Sequence, residues 1–350
     1  MLEAIGSFFS TVWPYVIAFV FFIFLVVIHE FGHFIAAKSL GVRVNEFAIG
    51  FGPTIFKKKG KETTYMIKII PFGGYCAMEG EDENSTDEKA FCNKAAWRRF
   101  LIVVMGAVFN LIFGLIVVGI TLAPQTAYAT TKVAEFSESA TRNAENGLKV
   151  GDEIIEVDGR SIYTFYDLSY NFTAVDDGNL NMTVKRDGQK INLPAVPFAT
   201  EKFEGYNVVK LDFKVYGEKR TFGTFLKQTV NTSVSYGRMV VFSLIDMIKG
   251  RYRVSDISGP VQVTATLGEA AKTGLFDMLP LIALITINLG IFNLLPIPAL
   301  DGGRLLFILI EMIFRKPVPQ KYEKWVHAIG MIFLLTLMAV ILVKDIWAFF

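Results

Sequence analysis

Apolar and polar positions fall along this chain in long blocks. Ala4 to Ile28 carries no charged side chain. Pro14 stands near the start of that run, and Tyr15 to Lys38 reads as one helix, long enough at about 1.5 Å per residue to cross a hydrocarbon layer of about 30 Å. Apolar runs at about Phe100 to Ala123, Met278 to Leu300 and Trp325 to Val343 predict three more spans. The third run ends in Asn293-Leu-Leu-Pro-Ile-Pro-Ala-Leu-Asp301-Gly-Gly303, where prolines and glycines predict a broken helix.

Between the first two spans the pattern changes. Val42 to Ile49 and Glu62 to Ile70 read as strands, with turns at Gly50-Phe-Gly-Pro53 and Pro71-Phe-Gly-Gly74. The acidic stretch Glu79 to Glu88 reads as a solvated loop. From about 124 to 275 the chain is polar. Gly147 to Arg160 and Asn181 to Leu193 predict a small β-rich domain with a hairpin turn at Asp187-Gly188. Phe222 to Lys249 is an amphipathic helical pattern that fits either a helix on a membrane surface or one buried in the soluble region.

Composition narrows the class. The 350 residues are 52% hydrophobic with a net charge of +2. That places the chain among polytopic membrane proteins and predicts no nucleic-acid partner. Two cysteines, Cys76 and Cys92, lack the number and spacing of a disulfide framework or zinc finger and read as free thiols. Residues 1–28 hold no Lys or Arg and residues 38–99 hold eleven, while five more lie between Arg304 and Lys324. The positive-inside rule then puts both termini outside and the far end of the first helix toward the cytosol, with Trp347, Phe349 and Phe350 as interfacial anchors.

Chemistry concentrates where the first apolar run ends, at His29-Glu30-Phe-Gly-His33. Residues four apart share a helix face, so His29 and His33 can offer imidazole nitrogens to one point, half of a zinc site, with Glu30 as general base. Such a pattern also occurs on ordinary soluble helices. Here two of the chain's three histidines fall in it, and a charged Glu in a span costs about 2.5 kcal/mol or more. Asp301, at the broken helix, supplies a third, oxygen ligand and leaves a fourth position open. Asn110, in Met105-Gly-Ala-Val-Phe-Asn110, is a polar amide mid-span that fits a structural hydrogen bond or a site contact. His327 reads as interfacial. An ion-path transporter and a catalytically silent zinc scaffold are the alternatives, since both also bury charges.

His29-Glu-Phe-Gly-His33 paired with the distal Leu300-Asp-Gly-Gly303 resembles the site-2 protease family of intramembrane zinc metalloproteases, over nearly the whole chain. Gly50-Phe-Gly-Pro53 and Ile70 to Tyr75 look like that family's membrane-associated β-loop, Gly147 to Ile162 like part of its PDZ domain, and Ile257-Ser-Gly-Pro260 like the segment before its third span. The resemblance implies a polytopic α-helical membrane protein of about four transmembrane helices, with a cytosolic-side β-loop and an extracytoplasmic PDZ-like domain. Its parts are the first helix at 1–38, the β-loop region at 39–99, a second helix at 100–123, the PDZ-like domain at 124–215, a juxtamembrane segment at 216–275, a third transmembrane segment at 276–315 and a fourth at 325–345. It implies Zn2+ on His29, His33 and Asp301, and catalysis by Glu30 in the bacterial plasma membrane. The substrates implied are single-pass membrane proteins, such as anti-sigma factors after a first cut and remnant signal peptides. Asn293, Gly73, Gly74 and Asn110 are the expected substrate contacts. The PDZ-like domain would take a peptide ligand or act as a size filter.

Overall fold

The computed structural model describes residues 2–81, 83–137, 147–175, 177–203, 205–253, 256–274 and 276–347. Phe349 and Phe350, the expected interfacial anchors at the C-terminus, lie outside them. The chain forms two compact units, residues 1–114 with 255–350, and residues 115–254.

The first unit begins with α1 (Leu2–Ser39), followed by β1 (Val44–Lys59) and β2 (Thr64–Met78) and by α2 (Ala96–Leu122), whose residues from 115 onward count with the second unit. The turns expected at Gly50 to Pro53 and at Pro71 to Gly74 lie inside the two strands. Both nonetheless reverse the chain: residues 44–49 pair antiparallel with 74–78 on one side and run parallel to 64–67 on the other, while 54–59 folds back antiparallel on 64–68, with Gly50, Gly52 and Gly73 at positive φ in the two turns. A further reversal lies at 60–63, where the Gly60 N–H donates to the Thr63 carbonyl at 2.9 Å. Phe51, Ile55, Phe56, Ile67, Ile69 and Ile70 are all exposed on this sheet.

The second unit holds β3 (Ala127–Phe136), β4 (Glu153–Val157), β5 (Arg160–Ser161), α3 (Phe165–Asn171), β6 (Asn179–Arg186), β7 (Gln189–Pro197), the small hairpin β8 (Thr200–Phe203) and β9 (Tyr206–Val209), β10 (Phe213–Lys219) and α4 (Phe222–Ile248). The sheet runs in the order β10, β3, β4, β6, β7, with β5 beside β4. Arg186 opposes Gln189 across Asp187 and Gly188, both at positive φ, which is the two-residue turn expected there. Its core is apolar, including Ile154, Leu168, Leu180, Met182, Val184 and Phe213.

β10 crosses the expected boundary between residues 215 and 216, and α4 packs with this β-rich unit. Ser235 on α4 donates to Asp167 at 2.7 Å and accepts from Thr164 at 2.9 Å. Arg160 and Tyr170 both donate to Asp246 of α4. The polar face of α4 thus turns inward, and Leu226, Val230, Val234, Val241 and Ile245 stay exposed.

The first unit resumes with α5 (Pro260–Thr273), α6 (Leu279–Leu294), α7 (Asp301–Phe314) and α8 (Gln320–Trp347). The chain breaks between α6 and α7 at 295–300, as the Pro-rich run predicts. Three helical segments are long and apolar enough to cross a membrane: Tyr15–Ser39, Ala96–Leu122 and Lys321–Trp347; Leu279–Leu294 is a shorter apolar helix.

Candidate metal centre

α1 brings His29, Glu30 and His33 to the wall of one cavity, and the start of α7 brings Asp301 to the same wall. His29 Nε2 and His33 Nε2 lie 3.2 Å apart, and Asp301 Oδ2 lies 3.1 Å from the first and 3.2 Å from the second. Three donor atoms at nearly equal spacing define an open tripod. A tetrahedral zinc with bonds near 2.0 Å needs donor spacings of about 3.3 Å, which this tripod matches closely. Asp301 Oδ2 is buried with no partner besides the two imidazole nitrogens, so its charge is balanced only when a proton or a metal ion lies between them. The donor set therefore fits a divalent cation, and these three residues form a metal-ligating group among the described residues.

The tripod is held from behind. His33 Nδ1 donates to the Ile102 carbonyl of α2 at 2.9 Å, which leaves Nε2 free to ligate. His29 Nδ1 lies 3.2 Å from the amide of Asn110, also on α2. An imidazole ligating through Nε2 carries its proton on Nδ1, and the oxygen end of the Asn110 amide is the end that accepts it. That buried oxygen has no other partner, and a half-turn of the amide supplies one. Asn110, which fitted a structural hydrogen bond or a site contact, lies against His29.

α1 and α2 meet at two glycines. A Cβ on Gly106 would stand 2.6 Å from His33 Cε1 and 2.8 Å from His29 Cε1, and one on Gly32 would overlap the Met105 carbonyl. Only glycine at 106 leaves room for both rings.

The β1–β2 sheet reaches the site too. A Cβ on Gly74 would lie 3.5 Å from Glu30 Cγ, so β2 runs directly past that carboxylate, while Gly73 packs against the Phe51 ring. Tyr75 lines the cavity and donates to Glu46 at 2.8 Å. Asn293 lies on α6 and is not among the residues lining the cavity.

Two expectations change. Glu79, Glu81, Asn84 and Ser85, from the stretch read as a solvated loop, line the metal cavity. Hydrogen bonds fold them in: Glu79 accepts from Asn45 and Ser85 at 2.8 and 2.7 Å, and Glu81 pairs with Arg304. Outside the membrane spans, those two donors hold the Glu79 carboxyl below its ordinary range. His327, read as interfacial, accepts from the Ala299 N–H at 3.1 Å and steadies a residue at positive φ next to the break. Nothing in spacing along the chain signals either contact.

The sequence matches Peptidase family M50 over residues 17–337. It is 35% identical over 323 residues to the protein named "Putative zinc metalloprotease CPE1693" of Clostridium perfringens, covering 92% of this chain and 95% of that protein. Against the zinc metalloprotease RasP of Bacillus licheniformis it is 29% identical over 427 aligned residues, covering 96% of this chain and 99% of RasP.

Proposed function

The chain belongs to peptidase family M50, and from that membership and the tripod we propose that it hydrolyses peptide bonds within or at the edge of a membrane. It is a zinc metalloprotease. His29, His33 and Asp301 would hold the zinc, which would supply a Lewis acid for the scissile carbonyl and lower the pKa of water there. Glu30 takes a proton from the attacking water on a carboxylate oxygen and delivers it to the nitrogen of the leaving amine. The observation that carries this reading is the tripod with its buried Asp301 oxygen on the same cavity as Glu30.

A transmembrane helix hides its peptide bonds in its own ladder and must unwind to be cut. Residues 64–67 are flanked by 44–49 and 54–59, but 74–78 pairs only with 44–49 among the described residues, so its outer edge can add an extended segment of substrate. Gly73 and Gly74 on that strand bring the added segment to Glu30. Asn293 serves as a further substrate contact from α6. The molecule spans the bacterial plasma membrane about four times, with α6, the break and α7 together forming one span. The density of Lys and Arg supports a cytosolic-side active site with extracytoplasmic termini. The β-rich unit serves as a PDZ-like module outside, either binding a peptide or excluding bulky substrates. Substrates are single-pass membrane proteins already trimmed outside, including anti-sigma factors and remnant signal peptides.

Paired single-pass substrates in liposomes, one with its outer domain and one trimmed to a short stub, test this. Only the trimmed substrate is cut on this reading. Equal cutting of both removes the size-filter role, and cutting of neither removes the substrate class.

A further inference from the structure

A second cavity of about 890 Å³ adjoins the metal cavity of about 680 Å³ within the first unit. It is lined by Arg99 at the start of α2, by Phe307 and Glu311 of α7, and by Glu323 and His327 of α8. Three described residues line both spaces: Glu81, Asn84 and Arg304. Arg304 sits one turn beyond Asp301 on α7. Its guanidinium pairs with Glu81 on the metal side and lies 3.8 Å from Glu323 on the other. The Arg304 and Glu81 side chains are about one-fifth exposed, at 23% and 20%.

Resting on the protease reading, we propose that Arg304 is the receptor for the carboxylate that hydrolysis creates, and that Glu81 occupies it until then. Water adds its oxygen to the scissile carbonyl carbon, the C–N bond breaks, and the nitrogen leaves as an amine carrying a proton. The new carboxylic acid loses its proton at neutral pH. A carboxylate is thus born in the cavity where a guanidinium, a rigid fork for carboxylates, already holds one. Exchange of one carboxylate for another keeps the guanidinium paired throughout, and the displaced Glu81, one-fifth exposed, keeps the hydrogen bond from the Met78 N–H at 3.2 Å. When Glu81 lets go, the partition between the two cavities opens and the product end moves from the first into the second. Glu323 stays beside Arg304 and limits how tightly the product is held, so that it leaves.

Direct binding tests the idea without turnover. The probe is a fluorescent apolar peptide of about ten residues, made with a free C-terminal carboxylate or a C-terminal amide, titrated into the full chain in detergent. Wild type binds the carboxylate about tenfold or more tightly than the amide. Arg304→Gln abolishes that preference, and Arg304→Lys, which keeps the charge but not the fork, reduces it. Glu81→Gln strengthens carboxylate binding several-fold and leaves amide binding unchanged. Equal binding of the two peptides by wild type overturns the proposal, as does a Glu81→Gln protein with unaltered carboxylate affinity. Cleavage of a trimmed substrate, measured on the same wild-type preparation, reports separately on the protease reading.

Discussion

Each unit buries a carboxylate on a helix, and the two are treated in opposite ways. In the β-rich unit Asp246 accepts from both nitrogens of the Arg160 fork, with one bond at 2.8 Å, and from Tyr170 at 3.0 Å, with Arg251 at 3.8 Å. Arg160 also stacks over the Phe242 ring at 4.7 Å. Burial pulls the Asp246 carboxyl upward, and the Arg160 and Tyr170 bonds outweigh it and hold the carboxyl below its ordinary range. In the membrane unit Asp301 Oδ2 meets no Lys, Arg or hydroxyl among the described residues and faces two imidazoles instead. A finished charge network fastens α4 to its unit. An unfinished one marks the place where a cation belongs.

Removing Asp301 gives the largest effect. Asp301→Ala lowers zinc affinity more than about 100-fold, beyond the 10–100-fold that loss of an outer partner costs. In metal-free protein the same change shifts thermal stability far less than it does with zinc bound, because only the imidazole contacts are then lost. Zinc content and thermal scans with and without chelator check both halves.

Asp246→Asn behaves in the reverse way, since one partner of a closed network is lost. The second unit loses about 3 kcal/mol of stability while zinc content stays the same. Because the folded carboxyl titrates below its unfolded value of about 3.9, its contribution is fully present above that pH and is lost as pH falls through the lowered folded value. Acid unfolding monitored by circular dichroism therefore loses this limb in the variant.

Smaller effects probe how the tripod is held. Gly106→Ala drives a methyl group into both rings and lowers zinc affinity by up to about 100-fold. Asn110→Ala removes the partner of His29 and lowers it by about tenfold, with Asn110→Asp recovering most of the loss because a carboxylate also accepts from Nδ1. Competition with a chromophoric chelator ranks the two.

Much of this centre was legible beforehand, and the reason is local periodicity. His29 and His33 meet because a helix repeats every 3.6 residues, and the Pro and Gly run around Asp301 breaks a helix wherever it sits. The Asp187-Gly188 turn was legible for the same reason, since backbone handedness there depends on two residues. What was not legible depends on register between distant segments. The Gly32–Gly106 crossing sets Asn110 against His29, yet no spacing in either helix states which turns will face. The Gly/Pro turns at 50–53 and 71–74 were legible, yet the placing of 44–49 between 64–67 and 74–78 was not, because it depends on which arms pair. Glu81 looked solvated in an acidic stretch, and its partner Arg304 lies 223 residues away.

The central claim is that Glu30 does the proton work beside a zinc held by His29, His33 and Asp301. Wild type and Glu30→Gln, purified in parallel, are to be measured for zinc content and for cleavage of a trimmed single-pass helix in liposomes. About one zinc per chain is expected in both, with a cleavage rate at least about 100-fold lower in the variant. Full-rate cleavage by Glu30→Gln, or wild-type cleavage without bound metal, would contradict that claim.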